Sequence, residues 1–140
     1  MSVETYNSTV DMIDRHLAEG RGEKLAIIDD NGEYTYGELA KRVNRAANLL
    51  TDLGLEQEMR IAQIMLDSID FPSVFWGAIK AGIIPIPLNT LLTTEQYRYI
   101  LADSRARVLV ISSALLPQVE PILGSLPFLK HVIICGEESD

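Results

Sequence analysis

The sequence predicts an α/β protein with a mostly parallel sheet and helices on both faces, and three observations carry that prediction. Short apolar segments alternate along the chain with amphipathic stretches of about 10 to 15 residues. Two of those stretches open on a capping-box pattern, Thr35 with Glu38 and Thr93 with Gln96, in which each side chain satisfies a free backbone N–H of the other. Glycines stand where the apolar stripes stop, at Gly20, Gly54 and Gly82. Strands joined by helical crossovers pair in parallel and need cover on both sides.

Taken in order, Tyr6 to Ala18 carries Val10, Ile13 and Leu17 at helical spacing, with Asn7 or Ser8 as a cap and Gly20 and Gly22 to end it. Leu25 to Ile28 reads as a short buried strand. Asp30-Asn31-Gly32-Glu33 then supplies an Asn-Gly turn, and Tyr34 to Tyr36 returns as the second arm of a tight hairpin. A helix beginning near Tyr36 carries Leu39, Val43, Ala46, Ala47, Leu50 and Leu53 on one stripe, which packs on a sheet.

Arg60 to Leu66 is a strand, and Asp70 and Pro72 start a helix whose shared face is Phe71, Val74, Phe75 and Ala78. Ile83 to Leu88 is apolar like a strand, but Pro85 and Pro87 have no N–H to donate, which assigns it to an edge or an irregular position. Thr93 opens a short helix to Ala102, and Arg107 to Ile111 is a further strand. Ser113 to Leu126 is helical but interrupted by Pro117 and Pro121. His131 to Cys135 closes the pattern, and Gly136 to Asp140 is an acidic end.

With 140 residues the chain falls in the range of one domain with its own core. The net charge of -8 and the absence of any run of Lys and Arg argue against nucleic acid as a partner. Cys135 is the only cysteine, which excludes an internal disulfide and fits a reducing cytoplasm. Met1 to Asp14 lacks the order of a signal peptide, and the apolar stretches 71–79 and 81–88 are too short to span a bilayer, so no membrane is implied.

The glycines match neither G-x-G-x-x-G nor G-x-x-x-x-G-K-[ST], and Lys24, Lys41, Lys80 and Lys130 lie outside any Gly/Ser/Thr-rich loop, so phosphate binding by this chain alone is not expected. Asp29, Asp30 and Asp67 follow strands, as the acidic cluster of a phospho-receiver does, but Asn31-Gly32 makes a turn where a receiver has a helix. His16 and His131 lack a Ser, Cys or carboxylate partner in sequence and read as structural or solvated. Cys135 reads as a small buried hydrophobe, and Phe75 and Trp76 read as packing.

Tyr34-Thr35-Tyr36-Gly37-Glu38-Leu39, followed by Val43, Ala46, Ala47 and Leu50, resembles the first signature of the acyl-adenylate-forming enzymes. Ala78-Ile79-Lys80-Ala81-Gly82-Ile83-Ile84-Pro85-Ile86-Pro87-Leu88-Asn89 resembles their second. Asn89 to Thr93, Tyr97, Tyr99 and Asp103-Ser104-Arg105-Ala106 are most similar to the benzoate-CoA ligases of that superfamily.

The resemblance implies the N-terminal α/β subdomain, residues 1–140, of a longer acid-thiol ligase. It also implies the substrates and cofactors of that parent: a carboxylic acid such as benzoate, ATP with Mg²⁺, and coenzyme A. Medium-chain fatty acids or substituted benzoates are alternatives. The phosphate loop, acidic metal ligand, ribose-binding aspartate and mobile-domain lysine of the family do not occur here, so no catalytic or metal-binding residue is assigned, no bound cofactor is expected, and the chain alone is expected to be inactive. In related ligases the loop after the second signature borders the coenzyme A channel, which makes Asn89, Thr90 and Thr93 the candidate cofactor-binding residues. Leu91 stands where some relatives have a basic residue. A fragment of this kind is expected to self-associate through an exposed docking face, whereas a non-catalytic α/β binding or assembly module, the rival reading, is expected to be a clean monomer.

Overall fold

The computed structural model describes residues 4–136, and the chain divides into two compact units. The acidic residues from Glu137 onward lie outside the described range.

The first unit holds residues 1–57 and 67–83. It opens with a π-helical turn, Val10–Asp14, that runs into a short α-helix, α1 (Arg15–Ala18). The predicted stripe is not all buried: Ile13 is, while Val10 and Leu17 are exposed. The wider π turn takes Leu17, which follows it, off 3.6-residue spacing. Asn7 anchors the start, its Oδ1 accepting from the Thr9 N–H at 3.0 Å and its Nδ2 donating to the Ile79 carbonyl at 2.9 Å. Thr9 Oγ1 donates to the Trp76 carbonyl at 2.8 Å, and Lys80 pairs with Asp14 at 2.8 Å.

Strands β1 (Leu25–Asp29) and β2 (Gly32–Thr35) form the antiparallel hairpin, in a two-stranded sheet of their own. The loop is Asp30-Asn31, with Asp29 paired to Gly32. The Asp29 carboxylate closes it, accepting from the N–H groups of Asn31 at 2.8 Å and Gly32 at 3.1 Å. Contrary to the sequence reading, β1 is not a buried strand: one face of this small sheet is open, and Ile28 is 66% exposed. Helix α2 (Tyr36–Asp52) starts on the complete Thr35/Glu38 capping box. Its buried stripe is Leu39, Ala40, Val43, Ala47 and Leu50, and within this unit the helix lies against the hairpin and, chiefly, helix α3 (Asp70–Lys80).

The predicted face of α3 also changes. Its buried positions are Ser73, Gly77 and Ala78, and the half-buried rings of Phe71 and Phe75 stack beside one another at 6.2 Å. Small residues win the buried face because the α2 backbone comes too close for a side chain at Gly77, where an added Cβ would lie 2.8 Å from the Val43 carbonyl oxygen.

The second unit, residues 58–66 and 84–140, is built on a four-stranded parallel sheet in the order β4 (Ile84–Pro87), β3 (Arg60–Ile64), β5 (Val108–Ser112), β6 (His131–Cys135). Strand β4 is at an edge, as its prolines require. The N–H groups of Ile84 and Leu88 donate inward to β3 at 2.9 and 2.8 Å, so Pro85 and Pro87 fall on alternate positions facing away from the ladder. Helix α4 (Thr94–Ser104) begins on the complete Thr93/Gln96 box. After β5 come a 3₁₀ turn (Ser113–Leu115), helix α5 (Leu116–Val119) and a second 3₁₀ turn (Glu120–Ser125), the Pro117 and Pro121 interruptions fixing where each piece starts. Ala62, Ile64, Leu109 and Ile111 form the core with Tyr97, Leu101, Val119 and Ile122. The intervening Ile61, Gln63, Val108 and Val110 are fully buried as well, so both faces of the central strands are covered, as the fold class predicts.

Candidate functional site

The loop between β4 and α4 leaves the carboxyl end of the sheet, where ligands approach α/β folds. Its polar side chains do local work. Asn89 Oδ1 accepts from the Leu91 N–H at 2.8 Å, an Asx turn, and the Asn89 carbonyl accepts from the buried Tyr97 hydroxyl at 2.7 Å. Thr93 Oγ1 accepts from the Gln96 N–H at 3.2 Å while Gln96 Oε1 takes the Thr93 N–H at 2.9 Å. Asn89 and Thr93 are exposed and Thr90 is half-buried, and the three residues singled out from the sequence lie in one loop, Asn89 and Thr90 in its turn and Thr93 at the helix cap. Leu91, between them, is 89% exposed.

This exposed leucine sits beside an open apolar groove of about 440 Å³, lined by Leu92, Glu95, Gln96, Tyr99 and Ile100. The groove was not identified from the sequence. Its signal within α4 is a second stripe of Glu95, Gln96, Tyr99 and Ile100, on a different side from the core-facing Tyr97 and Leu101. Glu95 is held below the ordinary carboxylate range by the hydrogen-bonded guanidinium of Arg98 at 2.6 Å.

Sheet topology marks a second place. The connections after β3 and β5 leave in opposite directions, which puts the switch point of the sheet outside the ends of those two strands. There the Leu66 N–H donates to Ser112 Oγ at 2.9 Å.

The acidic residues weighed for a receiver-like site do come together. Asp29, Asp30 and Asp67 line one cleft of about 390 Å³ with Ser68 and Phe71. Asp29 is committed to structure there: Oδ2 accepts from the Ile69 N–H at 2.8 Å and Oδ1 from Asn31 and Gly32, and these bonds, that from Ile69 first, hold its pKa below the ordinary value. Among the described residues no group of three His, Cys, Asp or Glu is placed to hold a metal ion. The described residues thus offer Mg²⁺ no cluster of three such ligands.

His16 is structural, its Nδ1 accepting from Arg21 Nε at 3.0 Å and its ring lying 4.2 Å from that of Tyr36. His131 is exposed. Cys135 is half-buried rather than fully buried, since β6 is an edge strand. Phe75 and Trp76 make an edge-to-face pair at 5.2 Å, consistent with packing. Among the described residues no helix is long and apolar enough to cross a membrane.

Comparison with known proteins extends these observations. The chain is 50% identical over 137 residues to a 4-hydroxybenzoate–CoA/benzoate–CoA ligase of Rhodopseudomonas palustris, covering 98% of this chain and 25% of that protein. It is 52% identical over 134 residues to a benzoate–CoA ligase of Thauera aromatica, covering 95% of this chain and 25% of the relative. A benzoate CoA ligase structure from Burkholderia xenovorans LB400 superposes with a TM-score of 0.87 at 38% identity, over 94% of this chain and 26% of that one. The chain thus spans about a quarter of the length of the curated relatives it matches. A family model for the AMP-binding enzymes matches residues 14–139, and the chain belongs to that family.

Proposed function

We propose that this chain is the N-terminal scaffold of an ATP-dependent aryl-CoA ligase acting on benzoate or a close analogue. The observation that carries the reading is the identity of about half its residues with two benzoate-CoA ligases along nearly its whole length. In the complete reaction a carboxylate oxygen bonds to the α-phosphorus of ATP and pyrophosphate leaves. The coenzyme A sulfur then bonds to the acyl carbon and AMP leaves with the electron pair of the broken C–O bond. Activation is needed because a carboxylate resists nucleophilic attack, while the mixed anhydride has a good leaving group.

The part of this chain in that reaction is support. Among the described residues no group of three His, Cys, Asp or Glu is placed to hold a metal ion, and the chain alone is expected not to turn over. Asn89, Thr90 and Thr93 shape a turn on the path of the coenzyme A arm, and they do so through backbone geometry more than through free polar groups. Exposed Leu91 and Tyr99 give the isolated chain an apolar surface that favours self-association.

The reading is tested by incubating the purified 140-residue chain with benzoate, MgATP and coenzyme A while following AMP and benzoyl-CoA by chromatography, with light scattering for mass. No AMP together with a mass above the monomer is the expected result. Turnover by this chain would overturn the scaffold role, and a clean, inactive monomer would favour an independent binding module.

A further inference from the structure

The sequence contains no run of basic residues, yet the sheet assembles one. Arg60, Arg107 and Lys130 stand just before or at the first residue of β3, β5 and β6, the three neighbouring strands of the second unit. The Arg60 carbonyl accepts from the Arg107 N–H at 2.9 Å, and the Arg107 carbonyl from the Lys130 N–H at 2.7 Å. Adjacent strands lie about 4.8 Å apart, so the three cations start from a row roughly 10 Å long. Arg105 joins them from the end of α4, where it adopts a left-handed backbone, φ 54°, that non-glycine residues seldom take.

Two guanidinium groups of this row share one aromatic shelf. The Arg105 and Arg107 Cζ atoms lie 5.2 and 6.0 Å from the centroid of the Phe128 ring. Stacking of that kind restrains the side chains and leaves their N–H forks available for an anion. Among the described residues no carboxylate forms an ion pair within 4.0 Å with Arg60, Arg105, Arg107 or Lys130, although Glu58 and Asp103 are near in sequence. The remaining basic residue of the same unit, Arg98, does pair, with Glu95. Arg60, Arg105 and Lys130 are exposed and Arg107 is half-buried.

We propose that this amino-terminal edge of the parallel sheet, Arg60, Arg105, Arg107 and Lys130 over Phe128, is a binding site for a linear oligophosphate. Guanidinium forks match phosphate oxygens bidentately, and a row of three cations matches successive phosphates better than a single one. A long polyanion is a poor fit, because the row is only about 10 Å long and the chain around it carries a net charge of -8. The site lies at the opposite end of the strands from the Asn89 to Thr93 turn and does not depend on the ligase reading.

Isothermal titration of the 140-residue chain at low salt, with tripolyphosphate as the probe and orthophosphate and hexaglutamate as comparators, tests the proposal. Saturable binding of one tripolyphosphate, tighter than either comparator, is expected. Arg60→Gln with Arg107→Gln weakens it about tenfold or more, while Arg98→Gln leaves it unchanged. Should the double variant fail to fold, the exposed Lys130→Glu alone weakens binding at least threefold. Absence of saturable binding, indifference to these substitutions, or tighter binding of hexaglutamate would each overturn the assignment. None of these outcomes bears on whether the chain turns over benzoate.

Discussion

Gly77 of α3 faces Ala46 of α2 so closely that a β-carbon on Gly77 would stand 2.7 Å from the Ala46 Cβ, 2.8 Å from the Val43 carbonyl oxygen and 3.0 Å from the Ala47 nitrogen. Two of these three neighbours are backbone, so the helices themselves would have to separate to admit a side chain. Gly77→Ala is expected to cost about 2 kcal/mol and lower the melting temperature by about 6 °C. Ala46→Gly in the same chain restores little, because the backbone clashes stay. A thermal melt by circular dichroism checks both, and full rescue by Ala46→Gly would show that the contact is between side chains alone.

Asp29 joins the hairpin to the start of α3 through its carboxylate, and its pKa is lowered chiefly by the Ile69 N–H. A depressed folded pKa means that its contribution is fully present above the unfolded value of about 3.9 and is lost as pH falls through the folded value. Asp29→Asn therefore lowers the urea midpoint at pH 7, and the gap between the two proteins narrows below about pH 4. Urea titrations at several pH values follow it. A gap that is constant with pH would mean that the ionised form is not what matters.

Thr93 separates a structural role from a contact with ligand. As the N-cap of α4, Thr93→Ala should cost about 1 kcal/mol, while Thr93→Asp, an equally good cap, should cost almost nothing. Denaturant midpoints of the two variants decide it. Equal losses in both would count against capping as the residue's function in the isolated chain.

Pro85 and Pro87 protect the β4 edge by removing donors on the side facing away from β3. Replacing both with Ala is expected to increase self-association, read by light scattering, with little loss of β3–β4 pairing. Ile86→Pro is expected to be far worse for stability, since by the alternation of a parallel ladder its N–H points inward. Comparable stability of these two variants would contradict the register.

The parts of the fold that follow from local rules were legible in the sequence. Thr35/Glu38 and Thr93/Gln96 marked two helix starts, Gly54 and Gly82 two stops, and Pro85 and Pro87 an edge strand. What was not legible depends on which elements meet. The buried face of α3 is set by close approach of the α2 backbone at Gly77, which no periodicity reveals, and the exposure of Ile28 follows from the hairpin forming a separate sheet. At the candidate site the sequence located the Asn89 to Thr93 turn but missed the groove beside it, whose second stripe is diluted by Glu95 and Gln96. The basic row escaped notice because Arg60, Arg107 and Lys130 are adjacent only through strand pairing.

The central claim, that this chain is interchangeable with the N-terminal quarter of a benzoate-CoA ligase, is tested most directly by replacing the matching segment of the Thauera aromatica enzyme with it and measuring benzoate-dependent release of AMP in the presence of coenzyme A. The account predicts a folded chimera that forms benzoyl-CoA within about tenfold of the parent's rate, a loss of no more than about 1.4 kcal/mol in transition-state stabilisation. A chimera that is folded yet releases no AMP would contradict it.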